Sequence, residues 1–264
     1  MSTVLVATTL GGVVGPTLAA PTGDLATALG LPHLTGPFLL AGVAYAVAAL
    51  VLTAWLRPDP LLLARALDQP DDRPREAVGR HRPGARVGVL VMVITQLVMV
   101  AIMTMTPVHM HGHGHRAAAS GLVIAVHIGA MYLSSPLSGR LVDRHGGLAI
   151  AAASGLTLSA AGLVAALAPV DSAASFAVAL ALLGVGWNLG PVAGTAIITD
   201  AAPPATRARS QGLVAVAASG AAGGLTSGFV VSAAGYPLLT LGGGVLALAV
   251  VPAVVGARDR SARR

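Results

Sequence analysis

The feature that most restricts this chain is a series of apolar runs, each close to the length that crosses a bilayer. A helix needs roughly 20 predominantly apolar residues to span about 30 Å of hydrocarbon. Eight runs approach or meet that length: 2–20, 38–56, 87–106, 117–137, 148–168, 173–199, 210–234 and 238–256. None contains an Asp, Glu, Lys or Arg. Breaks fall at Pro21, Pro37, Arg57-Pro58, Pro107, Pro136, Pro169, Pro203-Pro204 and Pro237, where a missing N–H and a fixed φ interrupt a helix. The fold class this predicts is an all-α polytopic membrane protein with eight transmembrane helices. Its charged fraction of 10% is far below the soluble-protein average of about 25%.

Arginine sets the expected orientation. All 16 basic residues are Arg, a usage we read as that of a GC-rich bacterial genome. Fifteen of them lie in four segments: the 57–86 linker, the turn with Arg140 and Arg144, the turn with Arg207 and Arg209, and the 257–264 tail. If every run crosses, these segments share one side, and the other side holds Arg116 alone. The positive-inside rule then makes the four cytoplasmic. The histidine-rich turn His109-Met110-His111-Gly112-His113-Gly114-His115 faces outward. The expected location is the bacterial inner membrane, with the lipid bilayer as one partner.

Enzymatic readings find no support: there is no nucleophile–base pair, no phosphate loop and no soluble catalytic domain. No cofactor is expected. A chain without Cys has no disulfide and no thiolate metal site. The arginines are confined to loops and the tail, so no folded basic surface exists to hold nucleic acid.

Two ladders stand out inside the runs. Met99 and Met103 are four apart, as are His127 and Met131, and residues at that spacing share one helix face. Thioether and imidazole form a donor set suited to Cu(I), and a histidine within a membrane span is a functional-site hypothesis by default. At about 1.5 Å per residue, Met103 lies about 24 Å, Met99 about 18 Å, His127 about 15 Å and Met131 about 9 Å above the cytoplasmic edge. The four make a descending staircase. The alternative is structural: Met92, Gln96, Met99 and Met103 fill a helix interface, and His127 is satisfied by a hydroxyl or carbonyl. Its face also carries Ser120, Ser134 and Ser138, a polar stripe that should meet protein or a water path and not lipid. His109, Met110, His111, His113 and His115 are a possible outer metal-capture turn, or simply a polar connection.

Gly139 to Gly147, GRLVDRHGG, resembles the G-x-L-x-D-R-x-G loop of the major facilitator superfamily. Gly11 to Ala20, GGVVGPTLAA, resembles the helix-5 G-P motif of antiporters in that superfamily, departing where Ala19 and Ala20 replace two glycines. With the long charged loop, the resemblance maps the eight spans onto helices 5–12 of a twelve-helix transporter truncated at its amino end. It implies that 1–56 are the last two helices of the first half, 57–86 a cytoplasmic linker, 87–256 the six-helix second half and 257–264 a tail. Met99-x-x-x-Met103 and His127-x-x-x-Met131 further resemble the marks of CcoA-like copper importers, which implies copper as cargo. Gly139, Asp143, Arg144 and Gly146 would serve gating, and Gly11, Gly15 and Pro16 helix packing. Two other functions stay open: proton-coupled export of small organic molecules, and a membrane fragment or subunit that transports nothing.

Overall fold

The structure is a computed structural model that describes residues 2–57, 63, 83–201 and 220–262. Among these residues there are ten helices and no strand: α1 (Ser2–Thr17), α2 (Ala19–Ala28), α3 (Thr35–Trp55), α4 (Pro83–Gly112), α5 (Ala117–Leu133), α6 (Ser135–His145), α7 (Gly147–Leu167), α8 (Ala173–Ala201), α9 (Gly220–Leu248) and α10 (Val250–Ala262). Two units separate. One contains α1 and everything from His81 onward; the other is Leu18–Arg80.

In the larger unit α8 is the central element, packed along α4, α5 and α7, with α9 against α4 and α7. Small residues permit these approaches. A methyl group on Gly190 would press on Thr95 of α4, and one on Gly186 would meet Leu158 of α7. At Gly184 it would lie 3.0 Å from the Met131 nitrogen and 3.1 Å from the Ala130 side chain of α5. Between lipid-soluble helices such backbone proximity replaces the hydrophobic effect as the source of association. Around it, Val91, Val98, Ile102, Leu158, Phe176, Leu180 and Leu183 form a continuous buried apolar cluster.

The smaller unit pairs α2 with α3, where Gly36 approaches the Thr22 carbonyl. Phe38, Tyr45 and Trp55 of α3 are all exposed.

Several expected boundaries move. Leu18 separates α1 from α2, and Pro21 sits in the first turn of α2, where its missing N–H has no intrahelical partner to lose. Helix α4 continues through Pro107 to Gly112, so His109 and His111 belong to the helix and the turn begins only after them. The span expected at 117–137 is a bent pair, α5 and α6, meeting at 41° next to Pro136. The break expected at Pro237 falls at Gly235, whose φ of 83° and ψ of 166° belong to a region open essentially to glycine. Among the described residues, five helices are long and apolar enough to cross a membrane, or six with the bent pair counted as one. Two features separate this from the eight expected crossings: α1 has only 16 residues, and Ala222–Ala257 is one apolar stretch across the Gly235 kink. Residues 58–62 and 64–82 of the expected linker, Arg207 and Arg209, 210–219 of the seventh span, and Arg263 and Arg264 lie outside the described residues.

Candidate functional site

His127 is fully buried on α5. Its Nδ1 lies 2.8 Å from the Leu180 carbonyl of α8. A carbonyl only accepts, so Nδ1 carries the hydrogen and, in the neutral ring, Nε2 is a bare acceptor. Among the described residues, Nε2 has no hydrogen-bond partner. The polar stripe expected beside His127 meets protein: Ser138 donates to Asn188 of α8, Ser120 faces the Met110 sulfur at 4.0 Å, and Ser134 bonds back to the Ala130 carbonyl. Met131 is buried on the same helix, and both it and Met99 of α4 belong to the apolar cluster. Met103 is half-buried against that cluster. His127 and Ser138 thus meet α8, Ser120 meets α4 and Ser134 bonds back to α5, while Met99 and Met103 belong to α4.

A second arrangement was hidden in the sequence. Trp187 of α8 donates its indole Nε1–H to Oε1 of Gln96 on α4, at 2.7 Å. Indole only donates, so the Gln96 oxygen must face it and the amide NH2 is turned elsewhere. Tyr132 of α5 stands edge-on to Trp187, ring centroids 6.5 Å apart. All three side chains are half-buried. Next to Trp187, Asn188 donates to Ser135 Oγ at 2.7 Å and accepts from Ser138, tying α8 to the bend between α5 and α6. The usable signal was compositional: a Gln, a Trp and an Asn inside runs that otherwise hold few polar groups.

The histidine segment separates into distinct roles. Tyr236, at the α9 kink, stacks on His109 with ring centroids 4.3 Å apart and planes 12° from parallel. Phe176 of α8 stands edge-on to both rings. The His113 ring lies 4.3 Å from that of His109. His115 reaches the Val170 carbonyl at 2.8 Å. Met110 is fully buried and His111 exposed. Among the described residues no group of three or more His, Cys, Asp or Glu is placed to hold a metal ion.

At the α6–α7 junction Gly146, with φ of 82°, ends one helix and starts the next, its N–H bonded to the Val142 carbonyl at 2.8 Å. Asp143 and Arg144 are exposed on the last turn of α6, and a methyl group on Gly139 would meet open space. In the GGVVGP segment, methyl groups on Gly11 and Gly15 would likewise meet nothing within 4 Å. The close approaches of α1 to α5 fall instead at Gly12 against Ile128, and at the Pro16 carbonyl, which would be 2.8 Å from a methyl on Gly121.

The family model of the Major Facilitator Superfamily matches this chain over residues 1–225 and again over 88–264. The chain belongs to that superfamily. Its members are transporters and not enzymes, and the protein is a multi-pass membrane protein. Among curated proteins it is similar to two from Bacillus subtilis. With the uncharacterized MFS-type transporter YdeG it is 51% identical, over 98% of this chain and 63% of the relative. With the uncharacterized MFS-type transporter YddS it is 49% identical, over 96% and 61%. The riboflavin transporter RfnT of Brucella anthropi is 40% identical over 93 residues, 35% of this chain and 23% of the relative. The chain therefore spans about three fifths of the length of the Bacillus relatives. No solved structure matches it.

Proposed function

We propose that this chain supplies part of the substrate face of a major facilitator transporter for a planar, hydrogen-bonding organic molecule. The observation that carries the reading is the half-buried Gln96–Trp187 pair with Tyr132 beside it. Ligand sites are mostly apolar surfaces with a few placed polar groups. Here an indole and a phenol offer ring surface, and the Gln96 amide keeps its NH2 donors for a ligand acceptor. The short segment shared with a protein named for riboflavin transport favours a heteroaromatic cargo. Alternating access rocks one repeat against the other around a central site, so uptake is a property to be measured at the relatives' full length.

Binding is measurable on this chain in nanodiscs. It has two tryptophans, so Trp55→Phe leaves Trp187 as the reporter. Saturable quenching by riboflavin is expected, and Gln96→Ala should remove it. Undiminished quenching in Gln96→Ala would rule out this face.

A second reading, copper import, is favoured by the unpartnered Nε2 of His127. A ligating histidine typically donates its other ring N–H to a carbonyl, as His127 does to Leu180. Met99, Met103 and Met131 would complete a soft path, with copper as cargo. In a protein of the relatives' length, the double variant Met99→Leu, His127→Leu should then lose copper accumulation. Wild-type accumulation in that variant would leave His127 as a helix-packing residue.

A further inference from the structure

We infer that His109 and His113, at the Gly112 end of α4, form a two-imidazole site for a divalent transition-metal ion, separate from any cargo path. The two residues are four apart, the spacing that brings side chains together on a helix surface. Their ring centroids are 4.3 Å apart and tilted by 50°. A metal–nitrogen bond is about 2.0–2.1 Å and the centroid lies about 1.1 Å beyond it, so two imidazoles on one ion sit roughly 4.5–5 Å apart. A small outward swing of one ring reaches that geometry.

Both rings are already held. The Nδ1 of His113 lies 2.8 Å from the His109 carbonyl, so it carries the hydrogen and leaves Nε2 as the free lone pair. This is the carbonyl–histidine arrangement that orients a metal ligand. His109 lies flat on Tyr236 and edge-on to Phe176. Tyr236 is itself fixed through its hydroxyl, 2.8 Å from Thr106 Oγ. One ligand is thus positioned by packing and the other by a carbonyl of the last turn of α4. His113 is exposed and His109 half-buried, so an ion has access and water fills the remaining positions.

The same geometry sets the other candidates aside. Met110 is buried with its sulfur facing Ser120, and His115, beyond the end of α4, turns its ring edge-on to Phe176. His111, two residues from each histidine of the pair, points away from the face they share. Imidazole suits Cu(II), Ni(II) and Zn(II) and not Mg²⁺ or Ca²⁺.

The test is electron paramagnetic resonance of Cu²⁺ added to the chain in nanodiscs, purified without a polyhistidine tag. Imidazole-nitrogen coupling is expected, competed away by Zn²⁺ and unaffected by Mg²⁺. It should disappear in His113→Ala and in His109→Ala, each checked for retained helicity. It should persist in His111→Ala, His115→Ala and His127→Ala. Persistence of the signal in both His109→Ala and His113→Ala overturns the site. Its loss in His127→Ala alone also overturns it and moves the ion to the interior.

Discussion

Ten residues apart on α4, or about 15 Å along its axis, Gln96 and Thr106 each meet an aromatic side chain from another helix. Trp187 of α8 reaches Gln96, and Tyr236 of α9 reaches Thr106. At the second contact every polar atom has a partner. Thr106 donates to the Ile102 carbonyl at 2.7 Å, so the Tyr236 hydroxyl must be the donor to Thr106. Tyr236 and Phe176 are buried there. At the first contact the rings stay half-exposed, and among the described residues nothing accepts from the Gln96 amide NH2. A satisfied, buried aromatic fastens helices together. A half-open one beside an amide with spare donors can present its ring to a ligand. On the function proposed here, the difference separates stability from substrate binding along a single helix.

The largest expected effect tests that separation directly. Tyr236→Ala empties a buried site, and aromatic-to-alanine changes in cores cost about 3–5 kcal/mol. We expect a large fall in the SDS concentration at which the chain unfolds in mixed micelles. Trp187→Ala, at a half-buried position, should move that midpoint much less. Equal midpoints for the two variants would break the comparison.

A smaller effect is expected at the kink that presents Tyr236. Gly235 holds φ of 83° and ψ of 166°, and a side chain in such a region costs about 1–3 kcal/mol. Gly235→Ala should lower the same midpoint by less than Tyr236→Ala. The cost is conformational, because the nearest atom to an added methyl is Pro237 Cδ at 3.7 Å, an ordinary contact. An unchanged midpoint would show that α9 bends without this glycine.

The apolar runs made the helical, membrane-spanning class legible, because hydrocarbon thickness and backbone hydrogen bonding leave a chain like this few alternatives. The GRLVDRHGG loop and the GGVVGP segment pointed to the superfamily that the comparisons establish. Helix ends were less legible, because proline was read as a stop. Pro107 lies inside α4 and Pro21 in a first turn, while Leu18 and Gly235 make the actual breaks. That reading placed His109 in a turn and hid its place on the last turn of α4, where its ring meets that of His113. Partners across helices were not legible at all: nothing in the spacing connects Gln96 with Trp187, 91 residues away, or His127 with Leu180, 53 away. The Met and His ladders were visible as patterns, but a pattern on one helix does not say which face its neighbours cover.

The smallest expected effect sharpens what fastens the Thr106 contact. Tyr236→Phe keeps the ring that stacks on His109 and removes only the hydroxyl. Thr106 remains satisfied through the Ile102 carbonyl, so no buried donor is left without an acceptor. What is lost is one interhelical hydrogen bond, which averages about 0.6 kcal/mol within membrane proteins. The SDS midpoint of Tyr236→Phe should therefore sit close to that of the unaltered chain and well above that of Tyr236→Ala. Cu²⁺ binding at His109 and His113 should persist, since the stacking surface is intact. A midpoint as low as that of Tyr236→Ala would mean that the hydroxyl, and not the buried ring, holds α9 to α4.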